Sequence, residues 1–162
     1  MIIFLSIYAI SILAFFIHFF LLDCNARTQA KIVEIFLLYQ IVFSLGVTSL
    51  MAFFAFTIMP KYIADYTGWP ACPFEQQLAN VNLAFGVLGI LAIWQRGGFW
   101  TATILGFSIW ILADGIHHIF NIIKDHNYTL GNVGVPLWTD IIIPIILLIL
   151  LKIHLTLKKN ES

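Results

Sequence analysis

The residues best suited to chemistry in this chain are Asp114, His117, His118 and Asn121, set within an otherwise apolar stretch from Phe99 to Ile123. Carboxylates and imidazoles bind metal ions, relay protons and hold polar head groups. Inside a membrane they are costly, so they mark substrate, proton or ion paths by default. At about 100° per residue the four fall within an arc of roughly 100° on one helix face. Asp114 and His118 stand one turn apart and can hydrogen-bond along the helix. Trp110 continues the stripe inward.

A second stretch carries a matching face. Glu75, Ala79, Asn82, Gly86 and Gly89 lie within roughly 80° of one another, and small residues in such a row let a neighbouring helix approach closely. Asp140 opens a third apolar stretch, one turn before Pro144. Together these residues predict one polar pocket made of Glu75, Asn82, Asp114, His117, His118, Asn121 and Asp140. If it holds a metal, the ligands expected are Asp114, His118, Glu75 and Asp140, a set that suits zinc or iron. His117 and His118 differ by about 100° in direction, which disfavours both reaching one ion. The plainer reading is that these side chains are interhelical glue, worth about 0.6–2 kcal/mol each.

Those residues must be positioned by membrane helices. The chain has 162 residues, 61% hydrophobic and 10% charged, against about 45–50% and about 25% in a soluble globular protein. A bilayer can hide so much apolar surface where a soluble core of this length cannot. Five apolar segments of roughly 20 residues or more are predicted, at about 1–22, 32–59, 74–94, 99–123 and 137–157. The expected fold is all-α: one domain, residues 1–162, forming a polytopic transmembrane bundle with about five spanning helices. The first segment lacks the positive n-region of a cleaved signal peptide and is taken as a helix.

Basic residues give the bundle a direction. Arg27, Lys31, Arg96, Lys152, Lys158 and Lys159 follow segments one, three and five, whereas only Lys61 and Lys124 lie on the other side. The inside-positive rule then places the N-terminus outside and the C-terminus in the cytoplasm. Cys24 and Cys72 fall on opposite sides of the bilayer, too far apart for a disulfide. The polar pocket falls in the outer half, under the loops 60–73 and 124–136, with the first helix peripheral to it. Trp69 and Trp138 read as interface anchors, and Asn127-Tyr128-Thr129 fits a glycosylation sequon by pattern.

A weaker polar group lies near the inner face. His18 and Glu34 can pair across a short loop, and His154 lies at a similar depth. His18 with His154 is the pair that haem ligation would need, although snorkelling to the interface explains both. No nucleophilic triad, phosphate loop or CxxC pair is present, no cofactor is implied, and zero net charge argues against a nucleic-acid partner. The bilayer is the implied partner, with a homo-oligomer or a membrane-complex partner left open.

From Thr67 to Leu151 the chain resembles a family of small bacterial multi-pass membrane proteins of unknown function. The resemblance rests on Gly68-Trp69-Pro70, Cys72-Pro73-Phe74-Glu75, Asn82 to Gly86, Phe99-Trp100, Gly115 to His118, Asn127, Leu130 to Gly134, and Asp140 to Pro144. It implies a bacterial inner-membrane helical bundle, distantly similar to DoxX-like bundles, and no activity. The family's pattern has Ser at the Cys72 position and Gln at the Glu75 position, which weakens Glu75 as a pocket residue. Three functions stay open: a small-ligand, lipid or proton site, an accessory subunit with polar packing, or a metal-dependent membrane enzyme or redox subunit.

Overall fold

The computed structural model describes residues 2–161. The elements are α1 (Ile2–Leu21), α2 (Gln29–Tyr39), a π-helical segment (Gln40–Val47), α3 (Thr48–Ile58), α4 (Pro60–Thr67), α5 (Phe74–Leu91), α6 (Gly98–Asp125), α7 (Leu130–Val133) and α8 (Val135–Glu161). No strand occurs among the described residues, so the chain is an all-α bundle. α2, the π segment and α3 form one continuous helix, Gln29–Ile58. It starts three residues earlier than the apolar pattern implies, because the Thr28 hydroxyl caps it by accepting from the Lys31 N–H at 3.2 Å.

Four stretches are long and apolar enough to cross a membrane: Ile3–Leu21, Gln29–Ile58, Gly98–Asp125 and Leu130–Asn160. The fifth expected span forms a helix, α5, but it has 18 residues and is not among these four. Glu75, Gln76, Gln77, Asn80 and Asn82 make its first half too polar. Both expected outer loops contain helix, α4 in one and α7 in the other. The last span is also longer than the segment 137–157, running through the fully buried Pro144.

Most of the basic residues gather at one end, away from Lys61 and Lys124. Arg96, after α5, lies 3.6 Å from Glu34, which also pairs with Lys31 at 3.0 Å. His154 and Lys158 of α8 border the same space. Arg27 turns back on α1, where its guanidinium donates to the Phe20 and Leu22 carbonyls. The apolar core lies toward this end, with Leu37, Ile41 and Leu45 packed on Trp100, Ile104, Phe107, Leu147 and Leu151. α4 and α7 close the opposite end, called here the loop end.

Backbone approach sets the shape of the bundle. Ala79, Asn82, Gly86 and Gly89 are buried on one face of α5, the row of small residues expected from spacing. A Cβ on Gly89 would collide with the backbone of Gly46 in the π segment, and one on Gly86 would lie 2.6 Å from a Leu50 methyl. Such contact gives dispersion energy that lipid cannot match. α1 is exposed along most of its length but is tied in through Ser11, whose hydroxyl accepts from Gln40 Nε2 at 3.1 Å. Gln40 Oε1 in turn accepts from Ser44 at 2.7 Å.

Gly89→Ala should lower the unfolding temperature in detergent, since overpacking of this kind costs about 1–3 kcal/mol and outweighs the gain in helix propensity of about 1 kcal/mol. Gly106→Ala, whose Cβ would meet only the Phe85 ring at 3.6 Å, is the matched control and should not lower it. Equal behaviour of the two variants would contradict this packing.

Candidate functional site

Asp114 and His118 lie one turn apart on α6, and Asp140 faces them from α8. One ligand atom from each of the three lies within 4.8 Å of the other two. Gly115 makes the approach possible: a Cβ there would meet Asp140 Cβ at 3.4 Å and Ile141 Cγ1 at 3.2 Å. Pro144 has no N–H, so the Asp140 carbonyl lacks its normal helical donor and adds a further polar atom at this depth.

His118 is almost fully buried, and its ring is held in one state. Asn132 of α7 is fully buried, and its amide nitrogen donates to the carbonyls of Asn127 at 2.9 Å and His118 at 3.3 Å. That fixes the amide orientation, so Asn132 Oδ1, 2.8 Å from His118 Nδ1, must accept a hydrogen bond from its N–H. His118 is therefore the Nδ1–H tautomer when neutral, and its Nε2 lone pair faces Asp140 Oδ2 at 3.5 Å. This gap is longer than a charge-assisted hydrogen bond. The Trp69 ring covers His118 at 5.1 Å and His117 at 5.5 Å.

The three residues border a cavity of about 190 Å³ at the loop end. Its walls are largely apolar, with Phe4, Phe56, Phe107, Ile111 and Ile143, while Thr48, Asn82 and Thr139 add polar atoms. Tyr8 of α1 reaches this cavity, with Asp140 and Thr139 as its electrostatic neighbours. Among the described residues, neither Asp114 nor Asp140 pairs with a Lys or Arg. Outside the spans, the Tyr66 phenol has its pKa raised, by burial first and by neighbouring Tyr62 second.

The expected pocket is thus assembled in part. Asp114, His118, Asp140 and Asn82 line it, and Trp110 does too. Glu75 does not border it, because it sits half-buried at the very start of α5. His117 points outward and touches Trp69 only by its ring edge. Asn121 is buried but structural: with its amide oriented to satisfy both neighbours, it accepts from Trp69 Nε1 at 2.9 Å and donates to Asp125 at 3.2 Å. Trp69 is accordingly a roof over the site, whereas Trp138 remains exposed. The first helix is not peripheral, since Phe4 and Tyr8 line the cavity.

Spacing could not have found Asn132, which lies in the four-residue α7, too short to show a periodicity. Nor could it have found Tyr8, on a helix with no polar stripe. The sequon residues also serve the architecture. Asn127 Nδ2 and Thr129 Oγ1 both donate to the Thr67 carbonyl, at 2.8 and 2.7 Å, beneath Gly68. Gly68 has φ of 69°, and a Cβ there would lie 2.8 Å from Thr129 Cγ2. At the basic end, His18 pairs with the Tyr39 hydroxyl at 3.2 Å and not with Glu34. His154 packs on Trp100 instead, so the two histidines have different partners. Cys24 and Cys72 are both exposed free thiols.

Residues 1–160 match the model of a family described as a family of unknown function (DUF6790), and the chain belongs to it. The match takes in the first helix, which lies outside the stretch of resemblance from Thr67 to Leu151. No curated protein and no solved structure matches the chain.

Asn132→Ala should destabilise the protein by about 1–3 kcal/mol, because it leaves the buried His118 Nδ1–H without an acceptor. Thermal unfolding in detergent measures this. A loss no greater than that of Thr156→Ala, whose exposed hydroxyl bonds only its own helix, would argue against the tautomer assignment.

Proposed function

We propose that this member of a family without an assigned activity is a bacterial inner-membrane protein that binds a small amphipathic molecule in its loop-end cavity. The ligand's apolar part lies against Phe107, Ile111 and Ile143, and its cationic or hydrogen-bond-donating head meets Asp114, His118 and Asp140. The observation that carries this reading is the cavity itself, with apolar walls and a buried acid–imidazole–acid group at one side. Its volume of about 190 Å³ is below the range of about 300–1,000 Å³ for drug-sized ligands. That favours a compact molecule, or the head and upper chain of a lipid.

Charge supports the same reading. Two carboxylates without a Lys or Arg partner among the described residues are expensive in a bilayer and require a neutralising cation, proton or donor. Polar packing alone accounts for Asn121, Asn127 and Asn132, whose hydrogen bonds are all internal. It gives no reason for Asp114 and Asp140 to face a cavity. In this proposal α5 also crosses the membrane, shielded by α3, which makes five spans with the basic end cytoplasmic and the cavity opening toward the outer face. A distant likeness to DoxX-like bundles belongs to the same proposal.

Two experiments test it. Native mass spectrometry of protein released from membranes should show a small-molecule or lipid adduct that Ile111→Trp removes by filling the cavity and Asp140→Asn weakens. An adduct unchanged by both variants, or none on the wild type, contradicts the pocket assignment. In intact cells an impermeant thiol reagent should modify Cys72 and spare Cys24. The reverse pattern would invert the orientation.

A further inference from the structure

We infer that Asp114, His118 and Asp140 hold a divalent first-row transition-metal ion at the polar side of the cavity. The inference deepens the preceding reading and rests on its assumption that this side of the cavity is the working site.

Three observations converge on it. First, the donor set is of the right kind and size. Two carboxylate oxygens and one imidazole nitrogen lie within 4.8 Å of one another, and His118 Nε2 stands 3.5 Å from Asp140 Oδ2. An ion with bonds of about 2.0–2.2 Å holds its ligand atoms roughly 3–3.5 Å apart. A separation at the 4.8 Å limit therefore needs to close by roughly 1.3–1.8 Å, which turning the two carboxylates about their side-chain bonds can supply.

Second, the imidazole is prepared as a ligand. Asn132 Oδ1 accepts the hydrogen bond from Nδ1–H, which leaves the Nε2 lone pair facing Asp140 Oδ2 at 3.5 Å. Outer partners of this type orient metal-binding histidines in general. Asn132 is fully buried and anchored at both ends of its amide. It holds His118 in one ring orientation, which a merely space-filling histidine does not need.

Third, the charges balance. With both carboxyls ionised, they and a neutral imidazole carry a formal charge of −2, without a Lys or Arg partner among the described residues. A divalent cation cancels that charge in one step. Three protein ligands also leave a coordination position open toward the cavity, the arrangement of catalytic rather than structural sites. The head of a bound molecule can occupy that position. His117 stays outside the cluster, and so does Glu75.

The test uses the full chain in nanodiscs, stripped with a chelator and reloaded separately with Zn²⁺, Mn²⁺ and, without oxygen, Fe²⁺. Bound metal is counted after desalting. For at least one of the three ions the wild type should retain about one per chain. Asp114→Asn, Asp140→Asn and His118→Gln should lose it, and Asn132→Ala should bind about 10–100-fold more weakly. His117→Ala and Glu75→Gln should match the wild type. X-ray absorption of the loaded protein should show nitrogen and oxygen ligands near 2.0–2.2 Å. Retention of no ion by the wild type overturns the inference, as does equal retention by every variant, which would place the metal elsewhere. The adduct separates the two readings. A stripped wild type that carries its adduct but binds no metal refutes the metal and leaves the pocket. One that binds metal at these residues but carries no adduct does the opposite.

Discussion

The hydrogen bond from His118 Nδ1 to Asn132 Oδ1 is the contact on which the loop-end site depends. It joins the last third of α6 to a four-residue helix that closes the bundle. The same amide binds the Asn127 carbonyl, and Asn127 binds Thr67, the last residue of α4. One fully buried side chain thus sets the tautomer of the imidazole, the position of α7 and the seating of Trp69 above both. A buried polar network is worth keeping only when every member is satisfied, and then it specifies a single arrangement. Around His118 each member other than Nε2 has a partner, and Nε2 is the atom that faces the cavity.

The rest of the bundle brings that network to a close-fitting space. Gly46 and Gly89 let the π segment and α5 meet backbone to backbone, while Gly115 lets α8 come up to α6 beside Asp140. Apolar packing is concentrated toward the basic end, around Trp100 and Leu147. The loop end holds the Asp114, His118 and Asp140 group beside its cavity. Segments of π-helix often occur at functional sites. Here the segment contributes Ser44 to the cavity wall and Gln40 to the tie with α1.

Much of this was legible in the chain because helical periodicity projects directly onto faces. Asp114 and His118 of the α6 arc and the small-residue row of α5 appear where spacing put them, with Asp140 joining the first across the interface, whereas His117 of the same arc turns outward. What periodicity cannot encode is a contact made through a loop. Asn132 and Trp69 reach the site from segments without a repeat, and so were read as a motif and an interface anchor. Glu75 lies on the expected face but a turn too early to reach the cavity. Tyr8 sits on a helix so uniformly apolar that no face stands out, and only packing reveals which side turns inward. The π segment leaves no mark on hydropathy at all.

The central claim is that His118 is held as a buried Nδ1–H imidazole whose Nε2 faces the Asp140 carboxylate, with Asp114 one turn away. Nitrogen-15 NMR of histidine-labelled protein in a bilayer reads this directly, with the His118 signals assigned by their loss in His118→Gln. The account predicts a protonated Nδ1 with a bare or metal-bound Nε2, and loss of that preference in Asn132→Ala. A neutral ring protonated on Nε2, or a tautomer indifferent to Asn132, would contradict it.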